Sequence, residues 1–474
     1  MSSHTPNRKP TPPPPVSQNN FSDSLMDSIQ KLSLTSDPKL PPEQSEGTLE
    51  WGRDRSHLII MNDSGLPVYT LHGDEHSLNS FCGVLSATIG LISSIGDGLA
   101  TTPARLSAYN PKLIQAGKTN MVFFYEHSLV FAIVSDSLPP PILFTQLGFV
   151  HGLITSLLTG VRVSVEKKKL AHYLSGSKTL FDNLLSLLNQ SLFPYFSTIP
   201  SPILSLDLRR SLQKSILPPN DPAIVFTILC TQDHVIGMGF PKNLQSIHTS
   251  DLVLLLNLIQ TQTSMHNSNS RNLVPFCFSF TSSISNSWIY LMIEKVYDSP
   301  TMFLITGTRK ASNVEALTKY SENLKNSLSP FLPKLTNAFN TFSISNLGIL
   351  RLRHFICYIV PPKKFVSSSF EFPLNCTNLK KELNQLYFQI HSDLFFNAEM
   401  DSDQDSITMK SPKVSVREVS QLGKIVGFQT PDYVLYCLFD SFVSGETIID
   451  SCNLLIQQLR GAVDSEDGII QNIW

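Results

Sequence analysis

The chain has 474 residues, a length that suits about three domains. Its 36 Lys and Arg face 38 Asp and Glu, for a net charge of −2, which excludes a nucleic-acid binder held by phosphate neutralisation. Hydrophobic residues make up 42% and charged residues only 16%, so the chain can build cores, and so low a charge density suits partial cover by a partner.

Residues 1–46 read as a disordered tail. The run Pro10 to Val16 favours polyproline II, and the remainder is largely Ser, Asn, Asp and Gln. It reads as a solvated tail or as a docking segment. Phe21, Leu25, Ile29 and Leu32 lie at helical spacing, which suits a short helix formed on a partner. The polar, proline-rich start does not resemble a secretory leader.

A first module is predicted over 50–192. His57 to Met61 is a strand, Asp63-Ser64-Gly65 a tight turn, and Val68 to Leu71 a second strand. Leu78 to Ile95 is an apolar helix, read as buried and capped by Ser77. Strands follow near Leu113-Ile114, at Met121 to Tyr125 and at Leu129 to Val134. Pro140 to Val161 reads as a buried helix rather than a membrane span, because Gln146, His151 and several hydroxyls interrupt it. A last helix covers Thr179 to Leu192.

The order repeats twice. Over 221–335 there are strands at Ile224 to Leu229 and Val235 to Phe240, then a helix at Leu252 to Gln260. Three strands follow at Val274 to Phe278, Ile289 to Ile293 and Met302 to Ile305. A helix runs from Asn313 to Leu328 and stops before Pro330. Over 345–474 the pattern is fainter: a strand at Leu350 to Val360, a loop at Pro361 to Lys364, and a helix at Leu379 to Phe395. An acidic linker follows at Glu399 to Asp405. Then come strands at Lys424 to Phe428 and Tyr433 to Phe439, and a closing helix at Ile448 to Leu459. The fold class is α/β (α+β), with three modules, each a mainly antiparallel five-stranded sheet flanked by helices.

Groups for covalent chemistry are missing. Gly117-Lys118-Thr119 lacks the preceding glycine of a phosphate loop and sits between two strands, so it reads as a hairpin turn. There is neither a GxSxG elbow nor an HExxH pair. The twelve histidines are scattered. The seven cysteines form no CxxC pair and read as reduced core residues in a cytosolic protein. No catalytic residue, metal or cofactor is expected. Lys167, Lys168 and Lys169, with Lys178, form either a solvated face or a contact with anionic lipid. Trp51, Tyr69 and Phe81 are either partner anchors or ordinary core aromatics.

The sequence resembles the SAND/Mon family, the Mon subunit of Mon–Ccz complexes. The likeness runs through Trp51-Gly52, His57 to Ile60, Ser64 to Tyr69 and Gly73 to Glu75. It continues in Gly83-Val84, Gln115 to Lys118, Leu129 to Ser135, Leu174 to Lys178, Asp182 to Leu185, Asp251 to Ile259 and Leu352 to Phe355. Leu66 and Leu71-His72 depart from the family's usual residues there. The resemblance implies three longin domains and a cytosolic protein that pairs with a Ccz-like longin subunit. It further implies a guanine nucleotide exchange factor for a late-endosomal or vacuolar Rab GTPase, recruited to anionic phosphoinositide membranes. The partner-binding residues it points to are Trp51, Pro67, Tyr69, Phe81, Gly83 and Val84. A non-catalytic longin-type adaptor is the rival reading.

Overall fold

The structure is a computed structural model. It describes residues 56–464 except for stretches of which the longest are 100–111, 159–166, 262–270, 337–343 and 397–412. The side chains of several helix ends, those of Lys167 to Lys169 among them, also lie outside the described residues.

Three five-stranded antiparallel sheets follow one another along the chain. The first holds β1 (His57–Asn62), β2 (Pro67–Thr70), β3 (Leu113–Ala116), β4 (Thr119–Glu126) and β5 (Leu129–Ser135), in the order β2-β1-β5-β4-β3. The second has β6 (Phe226–Cys230), β7 (Val235–Gly239), β8 (Arg271–Cys277), β9 (Trp288–Asp298) and β10 (Thr301–Thr308), ordered β7-β6-β10-β9-β8. The third has β11 (Leu352–Ile359), β12 (Lys364–Ser367), β13 (Lys413–Val419), β14 (Gly423–Gln429) and β15 (Tyr433–Phe439), ordered β12-β11-β15-β14-β13. The order is the same each time: second, first, fifth, fourth, third.

The central strands are largely apolar because both of their faces are covered. All seven residues of β5 are buried. Alternation sorts them between two cores. Phe131 and Ile133 of β5, with Leu58 and Ile60 of β1, face one core. Val130, Ala132 and Val134, with Ile59 and Met61, face the other.

Helices fill these cores unequally. In the first module, α1 (Glu75–Leu99) joins the second and third strands. After the sheet come α2 (Pro140–Leu158), α3 (Lys167–Ser175), α4 (Lys178–Gln190), a 3-10 turn at Phe193–Phe196, and α5 (Leu206–Ile216). In the second module α6 (Thr249–Thr261) joins the corresponding strands, and α7 (Val314–Leu328) and α8 (Leu332–Leu335) follow the sheet. The third has α9 (Ile344–Leu347) before β11, α10 (Thr377–Phe395) between β12 and β13, and α11 (Gly445–Asp464) after the sheet.

One continuous apolar core joins all three sheets and contains α2, α4, α6 and α10. Outside it, α5, α7 and α8 cover the second sheet, and α9 and α11 cover the third. The first module is reversed. Its helix between the second and third strands, α1, lies on the outside, whereas α6 and α10, its counterparts by chain order, lie in the shared core. Among the described residues α2 alone is long and apolar enough to cross a membrane. It packs instead within the shared core, as the polar interruptions suggest.

Several elements are not legible in the sequence, the four-residue helices α8 and α9 among them. β12 begins at Lys364, where the prolines read as a loop. β13 (Lys-Val-Ser-Val-Arg-Glu-Val) alternates too weakly beside its acidic linker. α3 and α5 are short and rich in charge.

Candidate functional site

The outward position of α1 makes the first module's outer face the candidate surface. The hairpin between β1 and β2 docks on this helix. Gly65 has φ +75, and a Cβ there would lie 2.7 Å from that of Ser86 and 3.0 Å from the Cys82 carbonyl. Glycine is therefore required twice, by conformation and by space. The Ser86 hydroxyl donates to the Asp63 carbonyl at 3.2 Å, and the buried Asn62 side chain accepts from the Leu66 amide at 2.7 Å. These contacts hold Leu66, 57% exposed, at the tip beside the helix.

On α1, Leu78, Phe81, Cys82, Leu85 and Ile89 pack against the sheet. The opposite strip is Ser80, Gly83, Ala87, Gly90 and Leu91, all exposed. Nothing lies within 4 Å of a Cβ placed on Gly83 or Gly90. No Asp, Glu, Lys or Arg occurs between Glu75 and Asp97. A helix face that meets water normally carries charge, so this strip has the composition of a covered surface.

The predicted partner residues separate on this geometry. Gly83 is on the outward strip, and Val84 and Pro67 are half-buried beside it and on β2. Tyr69 and Phe81 are corrected to core residues. Tyr69 is 2% exposed, with its ring 5.5 Å from that of Phe181 in α4. Phe81 is buried under α1 on the opposite face of the sheet. Both rings are consumed by the chain's own packing and are not brought together. Trp51 lies outside the described residues. Lys167, Lys168 and Lys169 form the first turn of α3, which packs Leu170 and Leu174 inward beside the β2 edge. The expectation that α1 is a buried helix holds for one face only. The charge-free run was the available signal for Ala87, Gly90 and Leu91.

Gly117 (φ +63) and Lys118 form the turn between β3 and β4, so they frame no phosphate loop. Among the described residues no group of three His, Cys, Asp or Glu side chains is placed to hold a metal.

Comparison with known proteins extends these likenesses over the whole fold. Residues 56–184 match the model described as the first longin domain of FUZ, MON1 and HPS1, 222–324 the second, and 351–462 the third. The bovine protein named vacuolar fusion protein MON1 homolog A is 24% identical over 366 residues, 74% of this chain and 62% of that protein. The chain thus spans under two thirds of that relative. The Arabidopsis thaliana MON1 homolog is 19% identical over 452 residues, covering 88% and 70%. Yarrowia lipolytica MON1 is 22% identical over 424 residues, covering 87% and 73%.

The chain belongs to the Mon/SAND family of three-longin-domain proteins.

Several residues that carry the family likeness join the domains to one another or fix their loops. Asn257 on α6 donates its side-chain amide to the Leu180 carbonyl of α4 at 3.0 Å. Asn183 donates to the Thr261 hydroxyl at 3.1 Å. Asp182 stands 3.6 Å from His72 Nε2, at the end of β2. Asp251 is fully buried. It accepts from the Ser279 and Phe280 amides and, at 2.6 Å, from the Thr281 hydroxyl. Burial raises its carboxyl, and these hydrogen bonds act against that rise. Arg353 donates to the Leu422 carbonyl at 2.7 Å, and His354 Nδ1 lies 2.9 Å from the Tyr387 hydroxyl. Burial holds His354, and likewise His391 beside Tyr436, down to about 3. These groups hold loops and helices in place.

Proposed function

We propose that this chain is the Mon-type subunit of a two-chain guanine nucleotide exchange factor for a late-endosomal or vacuolar Rab GTPase. It works in endosome maturation and vacuole fusion, as the relatives' names suggest. The supporting observation is the outward, charge-free strip of α1 with the β1–β2 turn docked beside it. Ser80, Gly83, Ala87 and Gly90 recur at three- and four-residue intervals, the spacing that forms a shallow groove for a second helix. A Ccz-like longin subunit would cover this strip, and the two together would present the surface that receives the GTPase.

Exchange makes and breaks no covalent bond. The complex binds the nucleotide-free GTPase more tightly than the nucleotide-bound one, and each tenfold preference corresponds to about 1.4 kcal/mol. Recruitment to anionic phosphoinositide membranes would use Lys167, Lys168 and Lys169, each adding about 1 kcal/mol near a charged surface. The protein is then cytoplasmic and peripheral to late-endosomal and vacuolar membranes.

The test is release of labelled GDP from the Rab by the complex of this chain with its copurified partner. Acceleration, lost with Gly83→Glu, is expected. Release at the intrinsic rate, with tighter binding to the GTP form, would instead identify a non-catalytic adaptor.

A further inference from the structure

The apolar side chains left in water are unevenly placed. Phe442 is 91% exposed, Phe372 84% and Leu350 81%, and no other large hydrophobic side chain among the described residues exceeds 60%. All three stand on loops at one end of the third sheet. Leu352, the first residue of β11, pairs with Phe439, the last of β15, so the loops holding Leu350 and Phe442 are neighbours. β12 runs antiparallel to β11 and leaves it at this same end. The Ser368 amide donates to the Phe355 carbonyl at 3.1 Å, and the Phe370 ring stacks on His354 at 4.2 Å. Glu371 then accepts from the Ile344 amide of α9 at 3.2 Å, and Phe372 follows it.

The loops that carry these tips are pinned. Arg351 has φ +64, a left-handed conformation that a residue with a Cβ rarely adopts. Its carbonyl accepts from the Asp440 amide at 3.2 Å. Arg353 donates to the Leu422 carbonyl at 2.7 Å and lies 3.7 Å from Asp440. Beside Phe442, the Val443 carbonyl accepts from Lys424 Nζ at 3.2 Å, and the Ser444 hydroxyl accepts from the Thr447 amide at 3.3 Å at the start of α11. A strained residue next to an apolar side chain held in water is costly twice over, and such costs persist where a function uses them.

Lipid fits this rim better than another protein does. A protein interface gathers its anchors into one packed patch with a pocket for each. Here the three side chains stand on three separate loops, and at these exposures their neighbours shield little of any of them. A fluid bilayer receives separate apolar anchors wherever they stand, and Phe and Leu are residues that enter the boundary between its headgroups and acyl chains. Charge does not lead the contact, because Arg351 and Glu446 are both exposed at the rim.

We propose that this rim inserts into a lipid bilayer, with Phe442, Phe372 and Leu350 seated between the headgroups and the acyl chains. Insertion rests on the membrane-peripheral part of the proposed function and not on nucleotide exchange. The test uses the full chain with its copurified partner and vesicles of phosphatidylcholine and phosphatidylserine. Phe442→Glu and Phe372→Glu should each lower vesicle affinity roughly tenfold or more. Neither should move the melting curve, because both side chains are already in water. Leu273→Glu, at an exposed position of β8, should leave vesicle affinity unchanged. Phe442→Trp should bind like the native chain and add quenching by acyl-brominated phosphatidylcholine to that of the native tryptophans. The added quenching should persist in raised salt, which screens contacts made by lysines alone. GDP release measured without vesicles should be unchanged by Phe442→Glu, so exchange is decided separately. A native complex that binds no vesicle, binding indifferent to Phe442→Glu, or Phe442→Trp without added quenching overturns insertion. So does loss of the partner subunit on Phe442→Glu, because the rim is then a protein interface.

Discussion

Phe196 is the place where a single truncation should uncouple the third domain. It sits in the 3-10 turn after α4, between the first and second sheets in sequence, yet its ring belongs to the third. It stacks on Tyr358 at 4.9 Å between centroids and meets His391 edge-on at 5.0 Å. Phe365, Phe395 and Tyr436 complete the socket at 6.1–6.2 Å. Removing such a ring costs about 3–5 kcal/mol from lost transfer and the cavity left behind. At least one of these aromatic contacts adds about 0.5–1.5 kcal/mol beyond area. Phe196→Ala should therefore weaken docking of the third domain by at least about 3 kcal/mol, roughly a hundredfold or more in its opening equilibrium. Native-state hydrogen exchange reads this directly. Amides of α10 and β15 should exchange faster by that factor, while those of α1 and β4 change little. A loss under about 1 kcal/mol, less than half the smallest cost of a buried Phe→Ala, would refute the socket as a source of interdomain stability. Equal acceleration in all three sheets would refute its local character.

Three further outcomes are expected. A Cβ on Gly152 of α2 would lie 2.4 Å from the Phe280 ring, so Gly152→Ala should cost about 1–3 kcal/mol in urea melts, partly restored by adding Phe280→Leu. His354 and His391 are held neutral by burial, at about 3 against an ordinary 6.5. The unfolded chain takes up protons first as pH falls, so stability is full above pH 6.5 and is lost toward pH 3. Each histidine adds a slope of up to about 1.4 kcal/mol per pH unit, and a urea midpoint that is equal at pH 7 and pH 5 contradicts this. Gly83→Glu, which meets open space, should leave the melting curve of the isolated chain unchanged or raise it slightly, since glycine is a poor helix residue. It should also abolish copurification of the partner subunit. Retention of the partner would exclude the α1 strip.

Much of the architecture is written in local pattern. The apolar runs at Leu129 to Val134, Met302 to Ile305 and Tyr433 to Phe439 read as strands because each is covered on both faces, and they are the fifth strands of the three sheets. Which helix covers which face is not local information. α1 and α6 are both apolar runs between second and third strands, yet one lies outside and the other in the shared core. Tyr69 and Phe81 illustrate the same limit, because an aromatic ring suits a core and an interface equally well. Asp251 was visible only as part of a family block. Its partners, Ser279 to Thr281, lie some thirty residues away, and no spacing rule connects them.

The shared core redefines what a domain means in this protein. Three sequence modules meet around α2, α4, α6 and α10, so cutting the chain at a module boundary would open apolar surface on both fragments. The unit of repetition is the longin domain, yet each sheet has apolar surface that helices of the other modules help to cover. A change that opens one module therefore bares apolar surface on its neighbours and should lower the yield of intact chain. Loss of function caused by a substitution far from α1 is then a statement about the abundance of folded chain until its binding has been measured per folded molecule.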